Sequence, residues 1–371
     1  MPAPIAMNNA SGPQPVISPS QAQFFGLLVD WQRRHGRSGL PWQGTQDPYR
    51  VWLSEVMLQQ TQVVTVLDYY PRFLERFPDV RALAAAEQEE VLALWSGLGY
   101  YSRARNLHRC AQVVVQQWGG AFPGSAEQLQ TLPGIGRSTA AAIAAFCFGE
   151  RIAILDGNVK RVLSRLLGFE GDLAVPAQER RLWALAQELL PADPGHAGMV
   201  AWTQGLMDLG SSLCARSRPD CAACPGAAIC QASLQQRTAD FPVRTRKLKR
   251  STVEWWWLLL RRADGAVWLE RRPETGIWAG LYCLPTHGSR VEALAPFGGE
   301  LALRHEHEAL RHVLTHRDLV LRPLEVDWRA VSNEGRGSPA AQPGLWVASR
   351  AELGIGLPAP LRSLLERLLP A

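Results

Sequence analysis

The chain has 371 residues, a formal net charge of +5 and a sequence pI near 8.9. This length predicts two domains, and the mild positive charge alone does not identify a partner. Local clustering is more informative, since Arg103, Arg105, His108 and Arg109 form a basic cluster that could contact phosphates.

Of the seven cysteines, Cys110, Cys147 and Cys283 lie isolated in mixed or apolar segments, which argues against a disulfide framework and predicts a reducing, cytoplasmic location. No run of eighteen apolar residues that could span a membrane occurs.

Residues 1–17 contain several prolines and no lysine or arginine, which excludes both a secretory signal and a typical transit peptide. We expect this segment to be disordered. Ser18 then supplies a helix N-cap, Pro19 the first helical position and Gln21 the reciprocal capping side chain. The folded chain is therefore predicted to begin at residue 18.

The segment Trp52–Val63 predicts one helix. Trp52, Glu55, Gln59 and Gln62 follow each other at steps of three and four residues and would share one face, with apolar residues largely on the other. A single glutamate among amides is ordinarily a solvated surface charge. The pattern by itself assigns Glu55 no other role.

Residues 132–136 read Leu-Pro-Gly-Ile-Gly and lie between a helix with a capping residue at Ser125 and an alanine-rich run at 139–148. This order predicts a helix-hairpin-helix. Gly134 and Gly136 allow a tight turn that exposes backbone N–H groups, and the next helix adds the positive end of its dipole, so the hairpin can bind a phosphate. An ordinary pair of helices with a glycine-rich turn is the alternative.

Asp156 ends an apolar run and opens a further helix, on which Asn158 and Lys160 follow. An aspartate at this place is ordinarily an N-cap, because its side chain accepts from the first free backbone N–H groups of the helix. The local sequence leaves this structural role and a functional role open.

Cys214, Cys221, Cys224 and Cys230 stand in the pattern C-x6-C-x2-C-x5-C. Four thiols in one short loop are typical of a 4Fe-4S cluster, since structural zinc usually takes two separated C-x2-C knuckles or a mixture of cysteine and histidine. The spacing does not fix the metal, so zinc and four unrelated buried thiols remain alternatives.

The sequence changes character after Cys230. Residues 231–251 form a polar, basic linker that could contact phosphates or act only as a solvated connector. A metal site is one interpretation of His305, Glu306, His307, Glu308 and His312. His307 and His312 are five residues apart, which does not suit two zinc ligands on one helical face, so we predict that all five are surface residues. Residues 252–371 predict an α+β domain with strands at Val253–Leu260, Val267–Glu270 and Leu319–Val326 and a closing helix at Ala359–Leu369.

The hairpin, the aspartate and the cysteine loop, in this order, resemble the helix-hairpin-helix DNA glycosylase superfamily over about Phe24–Cys230. The resemblance implies an all-α catalytic region at 18–230 with an iron–sulfur loop at 214–230. In members similar to endonuclease III, a lysine two residues beyond the second hairpin glycine forms a Schiff base with the sugar, and here that position is Ser138. A hydroxyl cannot form an imine, so we predict a monofunctional enzyme. We expect Lys160 to contact a phosphate, and a role as substitute for the missing lysine is the alternative.

Three further segments, at 40–42, 55–62 and 97–104, are similar to the adenine DNA glycosylase (MutY) family, which excises adenine mispaired with 8-oxoguanine. The resemblance implies that Glu55 protonates the leaving adenine and that Asp156 stabilises the positive charge on the sugar. The expected partner is double-stranded DNA with adenine opposite 8-oxoguanine or guanine, bound by a monomer in the bacterial cytosol.

Two other classes stay open at this point. A pyrimidine-directed glycosylase/lyase would need a lysine where Ser138 stands, and a non-catalytic, cluster-bearing DNA-binding or redox-signalling protein would not need the pair Glu55 and Asp156. Both features favour the adenine-removing enzyme.

By the same resemblance, Tyr100 and Gln59 would wedge at the emptied base step and against 8-oxoguanine, and Asp208 would line the adenine pocket. An ordinary core aromatic is the alternative for Tyr100. The residues expected to contact DNA or the flipped adenine are Trp42, Gln59, Tyr100, Gly134, Gly136, Ser138, Asn158, Lys160, Asp208, Thr315 and His316.

Residues 276–285 are similar to the C-terminal domain of this family, which has a Nudix-like fold. The sequence after them lacks the glutamate-rich helix that binds magnesium in Nudix hydrolases, so we expect a domain that reads DNA without hydrolase chemistry. Leu314–His316 resembles the family's Phe-Ser-His, which makes Thr315 and His316 the predicted readers of 8-oxoguanine. The leucine departs from that pattern, and turn hydrogen bonds are the alternative role of this loop.

Overall fold

The computed structural model describes residues 17–245, 250–297, 303–328 and 343–371. Nearly all of the predicted disordered segment and part of the predicted linker lie outside these ranges. The helices are α1 (Pro19–Ala22), α2 (Phe24–His35), α3 (Pro48–Leu58), α4 (Val63–Arg76), α5 (Val80–Ala85), α6 (Gln88–Leu94), α7 (Ser102–Trp118), α8 (Ala126–Leu129), α9 (Arg137–Phe148), α10 (Gly157–Leu167), α11 (Pro176–Glu188), α12 (Gly195–Ser211), α13 (Gln231–Leu234), α14 (Arg290–Leu294) and α15 (Ala359–Leu368).

The strands form a mixed sheet in the order β3-β2-β1-β7-β5, with β4 paired to β1, β6 to β7 and β8 to β2. β1 and β7 run parallel, and the other pairs are antiparallel. The strands are β1 (Ser251–Arg261), β2 (Val267–Arg271), β3 (Tyr282–Cys283), β4 (Thr286–His287), β5 (Leu303–Glu306), β6 (Leu310–Val313), β7 (Arg317–Asp327) and β8 (Gly344–Val347).

Packing divides the described residues into two compact units. The first contains residues 17–55 and 122–245, and the second contains residues 56–121 together with the described residues from 250 onward. The chain thus passes from the first unit to the second within α3. The boundaries predicted from the sequence follow chain order instead, and they stay a prediction.

In the first unit, α12 packs against α2, α9 and α10. Its Trp202 is fully buried, with the rings of Phe24 and Phe25 at centroid distances of 5.7 and 5.2 Å. Helix α2 can approach closely because residue 205 is a glycine, where a Cβ atom would lie 3.1 Å from Leu28. This core holds the N-terminal ends of α9 and α10, at which the predicted hairpin and aspartate lie.

The second unit combines α4 to α7 with the C-terminal sheet. Phe73 of α4 packs edge-on against Trp95, with ring centroids 6.1 Å apart. In the sheet, Leu258 of β1 and Leu324 of β7 belong to one buried hydrophobic cluster. Both leucines are at most 2% exposed. Two segments far apart in the chain therefore build one unit.

Several predicted elements are confirmed. Ser18 and Gln21 form the predicted capping box of α1, and the Oγ atom of Ser125 accepts from the backbone N–H of Gln128 at 3.3 Å to cap α8. Helix α9 begins at Arg137, slightly earlier than predicted. Strands β1, β2 and β7 and helix α15 occupy the predicted segments of the C-terminal region.

The predicted helix Trp52–Val63 is wrong at its C-terminal end. Helix α3 ends at Leu58, Gln60 adopts a left-handed φ of 58°, and Gln62 is the N-cap of α4. The guanidinium of Arg103 donates to the carbonyl oxygens at the end of α3, which have no partner inside the helix. The glutamines beyond this end therefore do not share a helical face with the glutamate.

The described part of the predicted linker, residues 231–245, packs within the first unit. Ala232 and Phe241 are buried, and the backbone N–H of Leu173 donates to the carbonyl of Val243 at 3.1 Å. These residues therefore have fixed packing, although their composition is polar and basic.

Candidate active site

Glu55 lies on α3 in the first unit and is partly exposed. Protein atoms surround its carboxyl closely, and this burial is the main cause that raises the pKa of Glu55 from 4.5 to about 8. The negative charge of Asp156 is the second cause. Glu55 is therefore protonated at neutral pH, unlike an ordinary surface glutamate.

Aromatic side chains lie around this part of α3. Trp52, one turn before Glu55, is fully buried, and its ring centroid lies 5.1 Å from that of Phe122 and 6.0 Å from that of Tyr49. Trp42 is buried in the same unit, with 9% of its surface exposed. Such apolar neighbours offer few dipoles to stabilise a carboxylate, which explains why burial dominates the pKa of Glu55.

Asp156 is the N-cap of α10, and its Oδ1 atom accepts from the backbone N–H of Val159 at 2.7 Å. Burial raises the pKa of Asp156, whereas the backbone N–H groups of Val159 and Asn158 oppose this rise because they stabilise the charged form. The prediction of an N-cap is confirmed. This cap also couples electrostatically to Glu55, so the structure brings the two predicted catalytic carboxyls into one site.

Ser138 lies in the first turn of α9, and its Oγ atom accepts from the backbone N–H of Leu155 at 3.3 Å. Leu155 immediately precedes Asp156. Ser138 therefore links α9 to the backbone directly before Asp156, the candidate catalytic aspartate.

The hairpin has the predicted turn. Gly134 adopts a left-handed φ of 76°, and Gly136 is the N-cap of α9. Both glycines are exposed, whereas Leu132 and Ile135 are buried and anchor the turn. The backbone at the start of α9 is thus accessible to a phosphate.

Two other predicted DNA contacts have protein partners. The Nζ atom of Lys160 lies 2.6 Å from Oε1 of Glu179, and Oδ1 of Asn158 accepts from Arg161 at 2.9 Å. A phosphate would have to compete with the carboxylate for Lys160. Both residues stand on α10 behind Asp156, and their contact with DNA stays a prediction.

Asp208 is 2% exposed, and both of its oxygens are bonded. Oδ1 accepts from Nε of Arg37 at 2.7 Å and from Gln204 at 2.9 Å, and Oδ2 accepts from the backbone N–H of Arg37 at 3.0 Å. The carbonyl of Arg37 in turn accepts from Gln43 at 3.0 Å. Asp208 therefore fixes the loop that carries Trp42, and a direct contact with adenine stays a prediction.

The four cysteines of the loop 214–230 line one small cavity. Burial raises the pKa of Cys224 to about 11 and also raises the pKa of Cys230. Within the described residues, no set of three or more His, Cys, Asp or Glu side chains is placed to hold a single metal ion. The donor set is nevertheless four thiols that face a common space, which suits the thiolate coordination of a 4Fe-4S cluster.

Two arginines of α10 connect this cysteine loop to the helix that Asp156 caps. Nε of Arg161 donates to the carbonyl of Cys214 at 2.8 Å. Nη1 of Arg165 donates to Sγ of Cys214 at 3.4 Å and to the carbonyl of Ala215 at 2.7 Å. A positive charge beside the thiols would favour their deprotonated form when a metal binds.

The second unit contains a cleft of about 510 Å³. The predicted readers Tyr100, Thr315 and His316 line it. Thr315 and His316 lie in the turn between β6 and β7, as predicted, where the backbone N–H of Leu314 donates to the carbonyl of Arg317 at 2.8 Å. Gln59, the fourth predicted reader, lies in the turn after α3 and is not one of the described residues that line this cleft.

Tyr100 is 44% exposed and adopts a left-handed φ of 48°, so it is not an ordinary core aromatic. Its Oη atom lies 2.7 Å from Oγ1 of Thr315, and either atom could be the donor. The structure thus joins two of the predicted readers by one hydrogen bond.

The prediction of surface residues at 305–308 and 312 is confirmed for His305, Glu306 and Glu308, which are exposed, but His307 and His312 are only partly exposed and make specific contacts. His312 is half-buried, lines the cleft and packs on Trp278 with ring centroids 5.6 Å apart. His307 pairs with the buried Glu325, with Nε2 and Oε2 2.9 Å apart. The spacing of the two histidines argued against a pair of zinc ligands on one helix. It could not indicate the observed contacts, because His312 lies in strand β6 and His307 lies directly after strand β5.

Sequence reasoning missed Arg37 and assigned Arg103 to a basic cluster that could contact phosphates. Both hold loops that carry predicted site residues, and Arg103 is buried with backbone carbonyls as its acceptors. Arginine is common on surfaces, and its sequence position alone does not predict bonds to distant carbonyls. No helix of the described residues is long and apolar enough to cross a membrane.

Two family models match the chain. Residues 53–188 match the HhH-GPD superfamily of base excision DNA repair proteins, and residues 256–367 match the NUDIX domain. The fold and the site therefore define a helix-hairpin-helix DNA repair protein with a Nudix-like region. The predicted fold class, all-α helix-hairpin-helix followed by α+β Nudix-like, is confirmed.

The adenine DNA glycosylase of Buchnera aphidicola subsp. Acyrthosiphon pisum (strain APS) is 33% identical over 346 residues, which cover 92% of this chain and 97% of that protein. The human adenine DNA glycosylase is 44% identical over 219 residues, which cover 56% of this chain and 39% of the human protein. The chain belongs to the adenine DNA glycosylase family, and it is a DNA glycosylase of base excision repair.

Among solved structures, a thermostable thymine-DNA glycosylase aligns with a TM-score of 0.52 and 26% identity. The alignment covers 58% of this chain and 97% of that protein. It supports the helix-hairpin-helix fold independently of the adenine-specific relatives.

Proposed function

We propose that the enzyme removes adenine opposite 8-oxoguanine or guanine by hydrolysis of the bond between the base and the sugar. The observation that carries this proposal is that Glu55 and Asp156 interact electrostatically in one site, with the pKa of Glu55 raised to about 8. Adenine leaves poorly as an anion, so the reaction needs an acid that is still protonated near neutral pH. Glu55 has that property.

Glu55 would protonate adenine at the nitrogen of the five-membered ring that is not bonded to the sugar. The bond to the sugar then weakens, because the leaving base is neutral. A general acid of this kind contributes about a hundredfold to ten-thousandfold in rate.

Asp156 would stabilise the positive charge that develops on the sugar as adenine departs. Burial is the largest cause at both carboxyls and raises the pKa of both. At Asp156 the backbone N–H groups of Val159 and Asn158 oppose this rise because they stabilise the ionised form, whereas at Glu55 the charge of Asp156 adds to it. Two carboxyls whose environments differ in this way can divide the roles of acid and anion. The proton of the pair is thus assigned to Glu55.

The enzyme is proposed to be monofunctional. Ser138 stands where a lyase would need its amine, and its hydroxyl already accepts from the backbone of Leu155. Lys160 is the nearest alternative amine in the sequence, but it is paired with Glu179. An imine with the sugar is therefore not expected, and water is the proposed nucleophile.

Recognition of DNA is assigned to two places. The exposed turn at Gly134 and Gly136 would bind a phosphate of the backbone, without reading sequence. The cleft with Tyr100, Thr315 and His316 would read 8-oxoguanine, with Gln59 supporting from the turn after α3. The hydroxyl and imidazole groups there can bond the altered edge of the lesion.

Cys214, Cys221, Cys224 and Cys230 would hold the 4Fe-4S cluster. When bound, the cluster cross-links the loop to the body of the first unit, and Arg165 supports the thiolate of Cys214 from α10. The metal, the monomeric state and the cytoplasmic location stay predictions.

A single-turnover glycosylase assay tests this function. The substrates are matched duplexes with adenine opposite 8-oxoguanine, guanine or thymine, and a fourth duplex with thymine opposite guanine. We expect release of adenine, fastest opposite 8-oxoguanine, and strand breaks only after alkali. Release of thymine without release of adenine would contradict the proposed substrate, and efficient borohydride trapping of a protein–DNA adduct would contradict the monofunctional mechanism.

A further inference from the structure

Arg103 is an arginine whose side chain is almost enclosed, with the residue 8% exposed. It lies at the start of α7, directly after the turn that carries Tyr100. Burial lowers the pKa of Arg103 to about 10, which leaves the guanidinium charged at neutral pH. A buried charge of this kind must be compensated by bonds, and its acceptors show what it holds.

One set of acceptors belongs to the end of α3 and the turn after it. Nη1 of Arg103 donates to the carbonyls of Val56 and Met57 at 2.9 Å each and to the carbonyl of Gln59 at 2.6 Å. Nη2 donates to Oγ1 of Thr61 at 3.0 Å. The guanidinium thus ends the helix and fixes the backbone of the turn that presents Gln59.

The second set belongs to the turn before α7. Nη2 of Arg103 donates to the carbonyls of Leu98 and Gly99, both at 3.2 Å. The guanidinium carbon also lies 5.3 Å from the ring centroid of Trp95 and 5.4 Å from that of Tyr100. Both distances are within the range of cation–π attraction. One side chain therefore holds the turn of Gln59 and the turn of Tyr100 together.

Backbone strain occurs in these same two turns. Gln60 has a φ of 58° and Tyr100 has a φ of 48°, a left-handed conformation that side chains other than glycine rarely adopt. Strained residues of this kind persist only where surrounding contacts over-determine them, and they concentrate at functional sites. The bonds of Arg103 supply such contacts to both turns.

We propose that Arg103 is a positioning residue for lesion reading, which acts through Gln59 and Tyr100 and does not itself touch the DNA bases. The inference rests on the proposed reading role of these two residues. A lysine would keep the charge, but its single ammonium group lacks the planar, forked guanidinium that bonds both sets of carbonyls. Arg103→Lys is therefore not a conservative change here.

The experiment measures the ratio of apparent affinities for duplexes with adenine opposite 8-oxoguanine and opposite guanine, at one salt concentration, for Arg103→Lys and Arg103→Met. We expect the ratio to fall about five- to tenfold, the lower end of what good base contacts contribute. Single-turnover excision at saturating enzyme should change far less. Unfolding midpoints of both variants are measured in parallel to detect general destabilisation. If Arg103→Met is insoluble, the affinity ratio of Arg103→Lys alone decides whether the proposal holds.

Arg151→Met is a control for the loss of arginine–carbonyl bonds at an exposed position. Arg151 also donates to two backbone carbonyls, those of Leu190 and Pro191 at 2.6 Å each. Neither carbonyl belongs to a turn that presents a proposed lesion-reading residue. This variant should lower the unfolding midpoint without changing the affinity ratio. An equal loss of ratio in Arg151→Met would mean that general destabilisation, and not positioning, explains the effect of Arg103.

A double-mutant cycle separates the inference from the proposed function beneath it. In a Gln59→Ala/Tyr100→Ala background, Arg103→Lys should cause no further loss of ratio, because the groups that it positions are gone. Full additivity, or an unchanged ratio in Arg103→Lys alone, would overturn the positioning role. An unchanged ratio in the Gln59→Ala/Tyr100→Ala protein itself would instead overturn the reading role of those residues.

Discussion

The carboxyl site of the first unit and the cleft of the second unit differ in how their groups meet the solvent. Glu55 and Asp156 are set in protein that raises the pKa of both. Tyr100 and Thr315 are exposed and lie on tight turns. The difference suits the proposed tasks, because acid catalysis needs a carboxyl whose charge is disfavoured, whereas reading a base needs polar groups that DNA can reach.

The two sites also differ in how they are built. Asp156 is placed by a helix start, and the bond from Leu155 to Ser138 fixes it locally. The cleft instead joins Tyr100 to a turn 215 residues later in the chain. Chemistry and reading can therefore be disturbed separately, which the following predictions use.

The largest expected effect is on chemistry. Glu55→Gln and Asp156→Asn should each reduce the single-turnover rate of adenine release about a hundredfold or more, since each keeps shape but removes acidity or charge. Affinity for DNA, measured by filter binding or anisotropy, should stay nearly unchanged, and so should the preference for 8-oxoguanine. A near wild-type rate in either variant would mean that its proposed role is wrong.

Loss of the cluster should affect the first unit without changing lesion preference. Cys224→Ser should lower the soluble yield and remove most violet absorbance, iron and sulfide, because it deletes one of four thiolate ligands. Cys283→Ser, which alters a buried thiol of the second unit, is the control and should keep the iron content per soluble protein. Stoichiometric zinc without sulfide in anaerobically purified wild type would contradict the cluster.

A smaller effect is expected when the readers are removed. Thr315→Ala/His316→Ala should lower the preference for adenine opposite 8-oxoguanine over guanine by about five- to a hundredfold, the range of one to three kcal/mol for good base contacts. The single-turnover rate at saturating enzyme should persist. If the preference survives, the lesion is read elsewhere.

The smallest expected effect comes from one hydroxyl. Tyr100→Phe keeps the ring but removes the 2.7 Å bond to Thr315, and an exposed hydrogen bond of this kind contributes about 0.5–1.5 kcal/mol. The preference for 8-oxoguanine should therefore fall about two- to tenfold. A larger fall, equal to that of Tyr100→Ala, would show that the hydroxyl and not the ring carries the role of Tyr100.

The sequence predicted those parts of the molecule that depend on local pattern. The capping box at Ser18, the hairpin turn at Gly134 and the N-cap at Asp156 follow from side-chain chemistry within one helical turn. The cysteines share a cavity as their spacing suggested. Such features need no knowledge of distant residues.

Features that depend on distant contacts could not be predicted. The periodic pattern extended α3 beyond Leu58, because nothing near that residue reveals that Arg103 ends the helix. His312 was placed on the surface, since its packing on Trp278 depends on the pairing of strands. Likewise, the membership of residues 56–121 in the second unit follows from tertiary packing alone.

The pH dependence of adenine release tests the central claim most directly, which is that burial keeps Glu55 protonated to act as the acid. Because the pKa of Glu55 is raised to about 8, the protonated form is present below that pH and is lost as the pH rises through it. The single-turnover rate at saturating enzyme should therefore fall about tenfold per pH unit above about pH 8. Below that pH it should stay near its maximum as long as Asp156, whose own pKa is raised by burial, remains ionised. A rate that stays constant to about pH 10, or that rises with pH, would contradict the account.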